Sequence, residues 1–160
     1  MTSDTKSTKD AISSFVAQHR VHLADVDVSG FLRVDALIRK MEETEYAFLR
    51  SRELSVVITD GRGLVGFPRL AAEVDISTPV AFDAVLTVTL SLTEIDGKTL
   101  AYAFNVTEGE TQIATGMFRV ATCRFPRDAP MFAILTPEYV IEALTKPVAS
   151  ISNGTLSSYL

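Results

Sequence analysis

Residues 21–37 read Val21-His22-Leu23-Ala24-Asp25-Val26-Asp27-Val28-Ser29-Gly30-Phe31-Leu32-Arg33-Val34-Asp35-Ala36-Leu37, and the fold turns on this stretch. Its middle, Asp25 to Gly30, combines short polar side chains with a glycine, the composition of a turn. Before it the pattern alternates. Phe15, Ala17, His19, Val21 and Leu23 fall on one face, as in a half-buried strand. After it there is no Gly or Pro from Phe31 to Leu54, and Leu37, Ile38, Met41, Phe48 and Leu49 recur at helical spacing. The reading is strand, turn, then one helix of about five turns, with Asp27 to Gly30 just ahead of its first turn. Glu42 and Glu43, with Arg39, Lys40 and Tyr46, read as the solvated face of that helix.

Further along, the texture is that of strands. Leu54 to Thr59 is a β-branched run ended by Asp60-Gly61. Arg69 to Thr78 alternates, with Leu70, Ala72, Val74, Ile76 and Thr78 on one face, and Pro79 ends or bends it. Ala84 to Thr93 alternates strongly, with Leu86, Val88, Leu90 and Leu92 on the apolar side. Asp96-Gly97 is a hairpin turn, Leu100 to Thr107 returns, and Glu108-Gly109-Glu110 is the next turn. Thr111 to Phe125 is the last strand, and Gly116 within it suggests a bulge. Thr136-Pro137-Glu138 opens a short helix over about 137–146, with Thr136 as N-cap and Pro137 in the first helical position.

One strand, one long helix and four or five antiparallel strands predict an α+β domain. A bare sheet face needs cover, so the sheet wraps around the one long central helix. A single domain is expected over 11–148, between a flexible lead-in at 1–10 and a flexible tail at 149–160. A chain of 160 residues is long enough for a real core, since about two-thirds of the unfolded surface is buried at this size.

Composition narrows the function. The formal net charge is −5, which argues against nucleic acid as a partner, because phosphates call for a basic surplus. No apolar stretch is long enough to span a membrane. Met1 to Lys9 lacks the apolar core of a secretory signal. The one cysteine, Cys123, forms no internal disulfide and reads as a small core residue on a strand. A cytoplasmic location is expected. His19 and His22, three apart on a strand, point to opposite faces and leave little for a metal site.

The segment Val21 to Gly30 resembles the opening of the 4-hydroxybenzoyl-CoA thioesterase family, a strand followed by Asp-x-Asp-x-x-Gly. The similarity continues in register. Glu42 sits where the family carries a helix Glu. Phe67-Pro68-Arg69 through Pro79-Val80-Ala81-Phe82-Asp83 looks like its strand with a terminal Pro and turn. Gln112-Ile113-Ala114-Thr115-Gly116 looks like its last strand. The resemblance covers about residues 13–125 and implies the hot-dog fold and hydrolysis of acyl-CoA or acyl-carrier-protein thioesters, without metal or cofactor. It implies that Asp27 is the nucleophile or general base. It also implies that Gly30, Phe31 and Val34 meet the substrate, with the Val34 amide polarising the thioester carbonyl. It implies a homo-oligomer as well, dimer or tetramer.

Elementary physics supports such a site, because a helix N-terminus offers unsatisfied N–H groups and a positive dipole end to a developing oxyanion. The alternative for Asp27 is a helix cap, and Asp25 reads as structural. Glu42 is either an accessory acid or base or a solvated or dimer-contact residue. Among Arg62, Arg69, Arg119 and Arg124, Arg69 is the best placed to meet CoA phosphates. The first helical turn departs from the family, with Val34 where relatives carry a His. That departure motivates a second reading, a non-catalytic acyl-CoA or ligand-binding protein of the same fold. A hydratase of this fold would set a His against a helix carboxylate, and no His lies beyond His22.

Overall fold

A computed structural model describes residues 10–147; the expected lead-in at 1–10 and tail at 149–160 lie almost wholly outside them. In chain order the elements are β1 (Ser13–Arg20), a 3-10 turn (Leu23–Asp25), α1 (Val34–Ser51), β2 (Val57–Asp60), β3 (Gly63–Gly66), β4 (Arg69–Ile76), β5 (Val85–Asp96), β6 (Thr99–Glu108), β7 (Thr111–Ala121), β8 (Cys123–Phe125), β9 (Phe132–Ala133) and α2 (Glu138–Thr145). The main sheet has five antiparallel strands in the order β1-β5-β6-β7-β4. The helix α1 packs on it, against β1, β4 and β5.

The core follows the alternation. Leu86, Val88, Leu90 and Leu92 of β5 are fully buried, as are Leu100, Tyr102 and Val106 of β6, and they meet Leu37, Met41 and Phe48 of α1. The hairpin glycines Gly97 and Gly109 take φ of +56° and +57°, a region open to glycine at little cost.

Several expectations are corrected. The first strand ends at Arg20, and Leu23 begins the 3-10 turn with its side chain exposed. The last run divides at Thr122: β7 stays in the main sheet, while β8 joins a second sheet of order β2-β3-β8-β9. Thr122 is buried, and its hydroxyl meets that of Thr136 at 2.7 Å. Thr136 therefore belongs to this contact, and Pro137 is the residue that precedes α2. Irregular pairing on β4 falls between Arg69 and Ala71, which leaves Leu70 exposed and out of phase with Val74 and Ile76.

Gly116 marks close packing, not a bulge, since its pairing with Val74 and Phe104 is regular. A Cβ there would lie 2.4 Å from Met41 Cε and 3.0 Å from the Glu73 carbonyl, so the bare backbone is what lets α1 approach the sheet.

Candidate active site

The turn ahead of α1 is a miniature hairpin. The Gly30 amide donates to the Asp27 carbonyl at 3.0 Å, and the Asp27 amide donates to the Phe31 carbonyl at 3.0 Å. Val26 bridges Leu32. Gly30 takes φ of +83°, the left-handed step that follows a tight turn in three-residue hairpin loops. The turn is tied down from both sides: the Leu32 amide donates to the Val80 carbonyl at 2.7 Å and the Arg33 amide to the Asp25 carbonyl at 2.9 Å.

Asp27 sits at the solvent-facing tip of this hairpin. Its Oδ1 accepts from the Ser29 amide at 2.8 Å and from the Ser29 hydroxyl in a short contact. The hydroxyl and then the amide of Ser29 hold the Asp27 carboxyl below its ordinary range, because both stabilise the charged form. Asp27 does not cap the helix. Arg33 is the residue that precedes α1, and its side chain makes no capping hydrogen bond. In the first turn Asp35 pairs with Arg33 at 3.0 Å, and Arg33 and, less, the Ala36 amide hold its carboxyl low. The Val34 amide, at the helix start, has no carbonyl four residues back within the helix to receive it. An exposed carboxylate held charged by Ser29 thus sits on the short hairpin that leads into the N-terminus of α1. Around them Val28, Phe31, Val34 and Phe82 are all exposed, an apolar rim.

Asp25 is buried beneath the turn. Its Oδ2 accepts from the Lys40 ammonium at 2.8 Å and from the His22 amide at 2.8 Å. Burial of the Asp25 carboxyl is outweighed by these bonds, and its pKa falls. Lys40, expected on the solvated face of α1, is therefore a buried residue, and this corrects the reading of that face.

Arg69 stands apart from the turn. Its guanidinium donates to Glu45 at 2.8 Å and to Glu42 at 3.2 Å and lies over the Phe118 ring, 3.9 Å from its centroid. Glu45 and Glu42 thus share the guanidinium that the sequence offered for CoA phosphates. Glu45 was not singled out from the sequence. Burial raises its carboxyl, opposed by Arg69. His19 contacts the Thr44 hydroxyl at 2.8 Å and Glu43 at 3.4 Å, and its burial lowers its pKa.

A cleft of 1090 Å³ opens elsewhere, lined by residues including Arg62, Lys98, Phe132, Leu135 and Tyr139. At its wall Arg124 binds Asp60 at 2.8 and 3.1 Å, and the Tyr139 hydroxyl donates to the same carboxylate at 3.2 Å. Arg124 is thereby compensated, and the cleft contains none of the turn residues. Among the described residues no group of three or more His, Cys, Asp and Glu could hold a metal ion. No helix among them is long and apolar enough to cross a membrane.

No family model and no curated protein matches the sequence. Solved structures match the fold. A 1,4-dihydroxy-2-naphthoyl-CoA thioesterase from Synechocystis superposes with a TM-score of 0.71 at 20% identity, over 82% of this chain and 96% of that one. The 4-hydroxybenzoyl-CoA thioesterase from Pseudomonas sp. strain CBS-3 gives 0.69 at 17% identity, over 81% and 98%. A gentisyl-coenzyme A thioesterase gives 0.69 at 20% identity, over 81% and 99%. The protein has the fold of 4-hydroxybenzoyl-CoA-like and related hot-dog thioesterases.

Proposed function

We propose that the protein hydrolyses acyl-CoA thioesters, with Asp27 as the reacting carboxylate and the Val34 amide as the donor to the thioester oxygen. The observation that carries this reading is the exposed Asp27, kept charged by Ser29, on the hairpin that leads directly into the N-terminus of α1. A carboxylate kept charged by Ser29 is ready either to attack the carbonyl carbon or to take a proton from an attacking water. In the first case the C–S bond breaks, the thiolate leaves and is protonated by solvent, and water cleaves the resulting anhydride. In the second, hydroxide adds directly and the same C–S bond breaks. In both, charge develops on the former carbonyl oxygen, where a helix N-terminus stabilises it. No metal or cofactor enters either route.

Gly30, Phe31 and Val34 are the proposed substrate contacts. The thioesterase names of the structural neighbours support the reaction class. The carrier is taken as CoA, with acyl-carrier protein as the variant to be compared. A homo-oligomer, at least a dimer, is part of the proposal. The outer edge of β4 has no partner strand among the described residues, and such edges invite pairing. Light scattering on the purified protein checks it. The cytoplasm is the proposed location, in keeping with the unpaired Cys123 thiol, buried on β8.

A panel of acyl-CoAs with free-thiol detection tests the reaction. Asp27→Asn is expected to lower kcat by about 100-fold or more with the fold intact. Wild-type turnover in Asp27→Asn overturns the mechanism. Acyl-CoA binding without any turnover favours the non-catalytic reading, for which the absent His is the motive.

A further inference from the structure

Asp25 takes no part in the proposed chemistry, yet it is the most connected residue of the turn. Its side chain holds Lys40 and the His22 amide, each at 2.8 Å, with Arg39 at 3.8 Å. Its carbonyl holds the Arg33 amide, immediately before α1. Lys40 reaches further, to the Arg20 carbonyl at the end of β1, at 3.1 Å. The two side chains are only 7% and 12% exposed.

A buried ion pair is weak support for stability, since a well-packed apolar pair often does as well. What it adds is direction. The segment from Asp25 to Arg33 closes on itself through the Asp25–Arg33, Val26–Leu32 and Asp27–Phe31 contacts, so its parts are tied to one another. Lys40 projects from the second turn of α1 and binds the base of that hairpin. The ammonium therefore ties three things together: the end of β1, the hairpin that carries Asp27, and the helix whose first amides await an oxyanion.

We propose that Lys40 and Asp25 are positioning residues for the reaction. They hold the Asp27 turn at a set distance from the first amides of α1, so that carboxylate and oxyanion donors address one carbonyl carbon. This rests on the role given to Asp27 above. A misplacement of about 1 Å in such a site costs on the order of 100-fold in rate.

The double variant Lys40→Met/Asp25→Asn tests it. Methionine follows the lysine stem, and asparagine keeps an acceptor for the His22 amide, so no charge is stranded. The expected result is a kcat at least about tenfold lower with KM within about twofold of wild type. The Asp27 and Gly30 amides should exchange with solvent at least about tenfold faster, while those of β5 and β6 keep their wild-type rates. A kcat within twofold of wild type overturns the proposal. So does a loss of kcat with unchanged exchange at Asp27 and Gly30, or faster exchange spread equally over β5 and β6. Wild-type turnover in Asp27→Asn would instead remove the assigned mechanism. The exchange rates would still report whether the pair holds the turn.

Discussion

Arg69 and Glu45 meet at 2.8 Å inside the molecule, the carboxylate side chain 2% exposed and the guanidinium 20%. Removing one member of a buried pair strands the other, at a cost of about 3–5 kcal/mol. Arg69→Met is therefore expected to lower Tm by on the order of 10 °C at this chain length. Adding Glu45→Gln should restore at least half of the loss. Burial already raises the Glu45 carboxyl. A group raised on folding contributes stability below its unfolded value and loses it as pH rises through the folded one. The deficit of Arg69→Met should thus be largest near neutral pH and narrow below about pH 5. Thermal unfolding at several pH values checks this, and an unchanged Tm would deny the pair any structural role.

The acid limb of the pH–rate profile should report Asp27. Its carboxyl is held low first by the Ser29 hydroxyl and then by the Ser29 amide. In the wild type, kcat/KM should stay level until the pH falls below the ordinary carboxylate value of about 4. Ser29→Ala removes the hydroxyl and keeps the amide. Its acid limb is expected to move upward in pH, with a smaller change on the plateau. An acid limb that does not move would separate the limb from Asp27.

Tyr102 is fully buried, and its hydroxyl has no hydrogen-bond partner among the described residues. Burial pushes the phenol well above its ordinary range. An unpartnered polar group in a core costs free energy, and replacing it by an apolar group of the same shape relieves that cost. Tyr102→Phe is expected to be neutral or to stabilise by up to about 1 kcal/mol. Calorimetry checks this, and a fall in Tm of several degrees would count against an orphan hydroxyl.

Gly116→Ala should separate helix from sheet. The new Cβ meets Met41 Cε at 2.4 Å and the Glu73 carbonyl at 3.0 Å. The methionine end can swing away, but the backbone carbonyl cannot. A loss of about 1–3 kcal/mol is expected from overpacking, and Met41→Ala in the same chain should recover only part of it. Denaturant unfolding gives the comparison, and a Gly116→Ala variant as stable as wild type would show that α1 has slack against β7.

Some of this was legible in the order of residues. The alternation of β5 placed Leu86, Val88, Leu90 and Leu92 in the core, and all four are fully buried there. The uninterrupted window after Gly30 became α1, an 18-residue helix. These features are local: the side-chain period follows from the covalent geometry of one strand or one helix. The Asp27 turn was legible for the same reason, since an Asp with a Ser two residues on and a Gly after it closes a loop through its own neighbours. The Ser29 contribution could have been read from that spacing.

The turn, the long helix behind it and the inward faces of the central strands thus follow from residue order. Where the charges settled depends on contacts made across the closed fold. Lys40 looks like any helix-surface lysine until Asp25 and the Arg20 carbonyl come within reach of it. Nothing in the order of residues announces that α1 brings Glu42 and Glu45 against Arg69 of β4. The division of the last strand at Thr122 likewise depends on Thr136, 14 residues further on. The physical reason is one of range. Backbone periodicity is set within a few residues, whereas the partner of a buried charge is set by distances that exist only after the chain has closed on itself.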